Sequence, residues 1–283
     1  MAKMKNKILV MGASGFVGGW VFKMLQKEGY DAVGASRTPR GDRWRLLDLL
    51  DPKTFSSALQ DIATVMLISA PGDEAAHLHA KSFIESLTSA DIERVVVLSA
   101  LGAGRRPELS NRKVELLVEE TGLSWTHVRP NFFLQMLSRP PLCTEIAKEN
   151  TLSLPLGNTR IAYVDAKDVA AVLFRALTYP TLAGQALEVS GPEALTHEEI
   201  VARISLKIGR TIRYVDLSEL EAHALLQRRG YPEAHIARIL RFYALCRHGQ
   251  CAQPDHEIAE LLGRPLLTLN DEIEKGYRAW LPN

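Results

Sequence analysis

A chain of 283 residues that is 46% hydrophobic can bury a sizeable core, enough for one or two domains. Charged residues make up 24% and nearly cancel to a formal net charge of +1, so no global field draws in nucleic acid or an anionic membrane. No apolar run approaches the roughly 18–20 residues that span a bilayer, the basic start from Met1 to Lys7 lacks the apolar stretch of a secretion signal, and Cys143, Cys246 and Cys251 fit a reducing compartment rather than a disulfide framework. These features imply a soluble cytoplasmic protein with no nucleic-acid or membrane partner.

The first half alternates short apolar runs with helix-length amphipathic stretches, the pattern of βαβ units around a parallel sheet. Lys7–Met11 reads as a strand, Phe16–Glu28 as a helix, Asp31–Ala35 and Trp44–Leu47 as strands, and Pro52–Gln60 as a helix with proline in its first turn. Val65–Ser69 is the next strand, followed by a helix over Glu74–Ser89. Arg94–Ser99 is then a strand whose run Val95 to Leu98 suits burial on both faces. A helix over Arg112–Thr121, closed by Gly122, leads to a strand over Trp125–Arg129.

From Pro130 the texture changes. Leu152–Tyr163 reads as irregular chain with short strands, Lys167–Leu177 as a helix capped by Asp165, and Ala186–Val189 as a strand. Thr196 and Glu199 form a capping-box pattern opening a helix to Lys207, and Thr211–Val215 is a strand. Helical stretches follow over Leu217–Arg229, Pro232–Cys246, Glu257–Leu262 and Asp271–Trp280, the last docked by Trp280. The expected fold is α/β: a doubly wound parallel sheet over residues 1–150, to which 160–190 returns, and a smaller, mostly helical lobe over 191–283. A cleft between the two is the usual place for a substrate.

Gly12-Ala13-Ser14-Gly15-Phe16-Val17-Gly18 lies between the first strand and the first helix, the context that turns a glycine triplet into a dinucleotide-binding signal. Gly12 permits the tight turn, Gly15 lets backbone N–H groups approach a pyrophosphate, and Gly18 allows close helix–sheet packing. Where an NAD site places an acidic residue after the second strand, this chain reads Ser36-Arg37-Thr38. Arg37 can lie against adenine and pair with a 2′-phosphate, and the neighbouring hydroxyls add donors, so NADPH is the expected cofactor. The dense basic run from Arg37 to Arg45 belongs to that reading.

The spacing GxxGxxG, together with Leu47-Asp48-Leu49, Leu98-Ser99-Ala100, the run Gly122 to Pro130 (GLSWTHVRP), Val164 to Ala170 (VDAKDVA) and Ser190 to Thr196 (SGPEALT), resembles the NmrA-like branch of atypical short-chain dehydrogenases, which includes triphenylmethane-dye and quinone reductases. The match runs from about Lys7 to about Gly209. The resemblance implies a Rossmann domain with Asp48 and Leu49 near the adenine and Ser69, Ala70 and Pro71 along the cofactor path. It places Ser99 at the family's end-of-strand serine, and Pro130, Asn131 and Phe132 at the nicotinamide end. Ser99 also suits an ordinary strand-end hydroxyl, and Phe132, Phe133 and Met136 suit either an apolar pocket or core packing.

Carbonyl-reducing relatives use a Tyr-x-x-x-Lys pair, and those positions fall on Pro107 and Asn111. Lys113 lies on another helical face and reads as a surface lysine, with a ribose contact as the other reading. Without the pair, an acceptor that takes hydride readily is expected: a quinone, an imine or iminium, or a dye, small, electron-poor and mostly apolar. In that reading Ser99, Asn111, Asn131 and Phe132 surround the reacting carbon, and the enzyme is a monomer or homodimer. The alternative is a non-catalytic NADP(H)-binding redox sensor that contacts a protein partner; an epimerase or lyase with tightly bound NAD is weakened by the absence of an acid at position 37. No spacing of His77, His79, His248, His256 or the cysteines suggests a metal site. His127 reads as packed within its strand, and all three cysteines as packing residues.

Overall fold

The computed structural model describes residues 7–70 and 72–282. The basic start before Lys7, and Pro71 on the expected cofactor path, lie outside the described residues. The elements in chain order are β1 (Lys7–Met11), α1 (Phe16–Lys27), β2 (Ala32–Ser36), β3 (Trp44–Leu46), α2 (Phe55–Leu59), β4 (Ile62–Ile68), α3 (Ala76–Ser89), β5 (Arg94–Leu98), α4 (Ser110–Glu120) and β6 (Ser124–Pro130). They continue with α5 (Leu142–Glu149), β7 (Thr151–Leu154), α6 (Ala166–Thr178), β8 (Gln185–Val189), α7 (His197–Ile208), β9 (Arg213–Asp216), α8 (Glu219–Arg228), α9 (Glu233–Arg247), α10 (Glu257–Leu262) and α11 (Leu269–Gly276).

The chain divides into two compact units. The first comprises residues up to Pro130 and Ala166–Val189, the second Asn131–Asp165 and Ser190 onward. This differs from the expected boundary at 150. Residues 131–150 contribute no strand to the large sheet, and α5 is joined directly to β7, which pairs with β9 in the second unit. Short strands within Leu152–Tyr163 and a strand over Thr211–Val215 are legible in the sequence, but their pairing with each other is not.

In the first unit seven parallel strands take the order β3-β2-β1-β4-β5-β6-β8. Strand direction of travel reverses at β1 and β4, so a crevice forms where their carboxyl ends part, the place open α/β sheets bind ligands. Val95, Val96 and Val97 are all buried because helices cover both faces. Phe55, Phe83, Leu87, Val114 and Val118 from α2, α3 and α4 join the core under one face. The other face is covered by α1 and α6, which pack on each other.

Local chemistry explains most element ends. Thr196 Oγ1 accepts from the Glu199 N–H at 3.2 Å while the Glu199 carboxylate accepts from the Thr196 N–H, completing the expected capping box of α7. Two further boxes, Ser218/Glu221 on α8 and Thr268/Asp271 on α11, start those helices away from their expected first residues. The expected helix Pro52–Gln60 splits into a 3-10 turn over Pro52–Thr54, capped by Asp51, and the short α2. The expected terminal helix likewise ends at Gly276 and continues as a 3-10 turn to Trp280, which is fully buried and donates its indole N–H to the Leu137 carbonyl at 2.7 Å. Among the described residues no helix is long and apolar enough to cross a membrane.

Candidate cofactor and active site

The turn from β1 into α1 is shaped by contacts that only glycine permits. Gly12 has φ +66, and a Cβ there would lie 2.8 Å from Ile68 Cγ2 at the end of β4. A Cβ on Gly18 would fall 2.4 Å from the Gly12 carbonyl oxygen and 2.7 Å from its carbon, an impossible approach to backbone. The Gly15 N–H donates to the Gly12 carbonyl at 2.8 Å and closes the loop. Gly15 provides no side-chain cap to α1, and the first turn carries no acidic residue. The helix therefore turns the positive end of its dipole towards the loop, uncountered by any carboxylate of its own first turn, as pyrophosphate requires. Ser14 is exposed beside them, Phe16 is half-buried and Val17 is buried. The loop fits a dinucleotide phosphate: without side chains at 12 and 18 the turn closes tightly against Ile68 and the Gly12 carbonyl, which brings bare backbone to the start of α1.

At the end of β2, Ser36 Oγ accepts from the Thr38 N–H at 3.2 Å, and Arg37 between them is exposed. The basic run does not act as one patch. Arg45 turns away and donates to the carbonyls of Ala58 (2.8 Å) and Gln60, so it braces the end of α2. Asp48 spends Oδ1 on the Leu50 N–H at 3.0 Å, and its backbone is tied to Thr54. Leu49 is half-buried against the core. After β4, Ser69 is half-buried and Ala70 exposed, adjoining Ile68 and hence Gly12.

Ser99 follows β5 and is 8% exposed. Its hydroxyl makes no complete hydrogen bond, yet it lies near enough to Glu115 to favour that carboxylate's ionised form. Glu115 is the hub of a network absent from the sequence expectations. It is wholly buried and receives a two-pronged contact from Arg129, Nε to Oε1 at 2.8 Å and Nη2 to Oε2 at 2.7 Å, with Arg112 Nη1 at 3.0 Å. Arg112 also pairs with Glu119, whose Oε1 lies 3.1 Å from His127 Nε2. Burial alone would raise the Glu115 carboxyl. The hydrogen bonds from Arg129, the nearby Ser99 hydroxyl, and then the charges of His127 and Arg129 outweigh it and hold the pKa below its ordinary value. Glu115, Glu119 and His127 come within ligand distance of one another, but the two guanidiniums already neutralise the carboxylates, so the cluster reads as an ion-pair network. The readable signal was Arg112, Glu115 and Glu119 at helical spacing opposite the alternate residues His127 and Arg129 of a strand.

Comparison with known proteins falls on the same residues. A family profile described as NmrA-like matches residues 109–265, and one described as NAD(P)H-binding matches 12–180. The chain belongs to the NmrA-like family. It is 30% identical to an NAD(P)H azoreductase of Xenophilus azovorans over 96% of this chain and 98% of that protein. Its fold is shared by an NADPH-dependent quinone oxidoreductase from Escherichia coli (TM-score 0.85, 22% identity, 95% and 99% of the two chains). A Citrobacter triphenylmethane reductase is similar too, with TM-score 0.83, 16% identity and the same coverage.

In this NmrA-like chain the positions after β6 are built from the backbone outward. Pro130 is buried at the strand end, and its carbonyl accepts from the Leu101 N–H at 3.0 Å. In the second unit, Asn131 is 4% exposed, and its amide donates to Ser190 Oγ at 3.1 Å and to the Cys251 carbonyl at 3.0 Å. Its Oδ1 accepts from the Phe132 N–H. Both amide hydrogens are thereby committed, and the side chain braces the Phe132 backbone. Phe132 packs against Phe242 (ring centroids 4.7 Å), Tyr163 (5.8 Å) and Tyr243 (6.4 Å), an aromatic cluster within the second unit. Ser190 opens the SGPEALT motif, but nothing in the sequence near it or near Cys251 announces their contact with Asn131.

Asn111 stands in the first turn of α4 and is half-buried, as is Lys113, while Pro107 is exposed ahead of the helix. Next to them His77 meets Ser110, Nδ1 to Oγ at 3.1 Å, and burial followed by the Lys113 charge pushes the imidazole pKa down. His79 pairs separately with Asp73 at 2.7 Å. The two histidines diverge, as their spacing of two requires. His127 is fully buried and stacks on Trp125 at 4.3 Å.

Proposed function

We propose that this chain is an NADPH-dependent reductase that passes hydride to a small, electron-poor, mostly apolar acceptor: a quinone, an imine or iminium, or a dye, azo dyes included. The observation that carries the reading is the glycine cradle ahead of α1, followed at the end of β2 by exposed Arg37 where an acidic residue would favour NAD. The azoreductase relative, aligned almost end to end, supports the reaction class.

When bound, NADPH supplies the hydride, and the protein supplies binding and orientation. Gly12, Gly15 and Gly18 clear the way to the amides of α1, Ser14 adds a hydroxyl, and Arg37 with Ser36 meets the 2′-phosphate. Asp48, Leu49, Ser69 and Ala70 line the route, and Ser99 and Pro130 mark its far end. In the second unit Asn131 fixes Phe132, which offers an apolar face to the acceptor. With proline at 107 and asparagine at 111, no side chain there acts as a phenolic proton donor, so an acceptor that stabilises the incoming electrons by delocalisation is the one that fits. Asn111 contributes at most a neutral hydrogen bond. The setting is cytoplasmic, and the active form a monomer or homodimer.

Missing proton-transfer groups equally suit a redox sensor that binds NADP(H) without turnover. Nicotinamide absorbance of purified protein, followed against quinones, cyclic imines, azo dyes and triarylmethane dyes, separates the two. Turnover is expected, with Arg37→Asp weakening NADPH by about 10–100-fold, the loss of one charge-assisted contact of roughly 1.5–3 kcal/mol. Tight NADPH binding with no oxidation by any acceptor class would instead favour the sensor.

A further inference from the structure

Cys246 and Cys251 have no recognised motif spacing, but the second unit folds them onto each other. Cys246 is the penultimate residue of α9, and the chain reverses immediately after it. The N–H groups of His248 and Gly249 donate back to the carbonyls of Leu245 (3.2 Å) and Cys246 (2.8 Å). Gly249 takes φ +77, which glycine adopts without strain, and the Ala252 N–H returns to the Gly249 carbonyl at 3.2 Å. The two sulfur atoms are thereby set 2.7 Å apart, approaching the roughly 2.05 Å of a disulfide bond.

Cys251 is also held from its other side. Its carbonyl accepts from the Ala162 N–H at 2.8 Å and from Asn131 Nδ2 at 3.0 Å, two donors from separate segments. Neither cysteine is free to drift, so little conformational entropy remains to be lost when a bond forms between them. Cys143, the third buried thiol, lies on α5, outside this turn.

We propose that Cys246 and Cys251 form a redox-active pair, closed to an intramolecular disulfide by hydroperoxides and reopened by thiols. One thiolate attacks a peroxide oxygen; the O–O bond breaks, giving sulfenic acid and a hydroxide that becomes water with the proton the thiol had released. The second thiolate then attacks the sulfenyl sulfur, forming the S–S bond and expelling hydroxide, which takes up a proton. In all, two thiols and one hydrogen peroxide give one disulfide and two waters. The two cysteines are 0% and 2% exposed, whereas the intervening residues Arg247, His248, Gly249 and Gln250 are exposed. Opening of this single turn therefore admits a small oxidant without unfolding the unit. Because the Cys251 carbonyl holds Asn131, the pair is tied to the segment that carries Phe132.

The test uses the full chain exposed to hydrogen peroxide, then unfolded in excess N-ethylmaleimide and digested with trypsin. Cleavage after Arg247 puts the two cysteines on different peptides unless a disulfide joins them. The expected product is a linked Cys246–Cys251 peptide pair from monomeric chain, with Cys143 alkylated, and dithiothreitol separating the pair. Three results would overturn the proposal: both peptides singly alkylated, both oxidised without linkage, or links to Cys143 or to a second chain.

Discussion

Glu115 is the residue whose loss should be felt most in the first unit. Its wholly buried carboxylate neutralises Arg129 and is shared with Arg112, so Glu115→Gln leaves the Arg129 guanidinium facing a neutral amide while Arg112 keeps Glu119. Breaking one partner of a buried pair costs about 3–5 kcal/mol, and chemical denaturation should show a midpoint lowered accordingly. The pH dependence has a fixed sign. A carboxyl held below its unfolded value contributes stability that is present above the ordinary carboxylate pKa and lost as pH falls through the lowered one. The wild type should therefore lose more stability on acidification than Glu115→Gln does. A variant with an unchanged acid slope would show that Glu115 is not the titrating group. The same network shows a limit of sequence reading: Ser99 was recognisable from its motif, but the acid beside it was not, because strand and helix residues meet only after the sheet is built.

Among elements, α7 shows how a legible start can hide an illegible interior. Thr196 and Glu199 announce the helix, yet its first residue, His197, is wholly buried rather than solvated. Its Nε2 lies 3.0 Å from the Tyr163 hydroxyl, its ring stacks on Tyr214, and its Nδ1 has no hydrogen-bond partner. Burial, opposed only by the charge of Asp216, lowers the imidazole pKa from 6.5 to about 4. A depressed histidine binds fewer protons folded than unfolded. Its contribution is complete above pH 6.5 and drains away as pH falls towards 4, at most about 3 kcal/mol in all. Thermal unfolding of wild type against His197→Gln across that interval checks it: a variant with an undiminished slope would assign the acid sensitivity elsewhere. Other element boundaries moved for local reasons. Ser218 and Thr268 are caps that the apolar pattern alone does not reveal, and α5 follows a proline pair with too short a periodic run to stand out.

For the whole molecule, the chain leaves the first unit after Pro130, returns at Ala166 to lay down α6 and β8, and leaves again after Val189. The large sheet is complete only when that late strand pairs with β6, so cofactor binding and global stability share a scaffold. A ligand at 100 times its Kd adds about 2.7 kcal/mol to the folded state. NADPH at that excess should raise the thermal midpoint by several degrees. Gly18→Ala, whose Cβ would strike the Gly12 carbonyl, should lose the shift even where its own midpoint can be measured. A full shift in that variant would remove the glycine loop from the cofactor site.

The sequence by itself determined the parallel α/β class, the family, the glycine loop and the basic residue after β2. Each is a local pattern: strand-to-helix periodicity, spacing of glycines along one turn, or a residue type at a strand end. Tertiary structure decided what lies far apart in the chain. It moved the unit boundary from 150 to 130 because β7 needs β9 as its partner, and it gave the Asn131 amide its partners, Ser190 and the Cys251 carbonyl. It also separated Arg45 from the other arginines of its run and set Cys246 against Cys251 through the left-handed turn at Gly249. Hydrogen bonds and sulfur contacts act over a few ångströms of space, and spacing along the sequence encodes that distance only where one turn or one helix carries both partners.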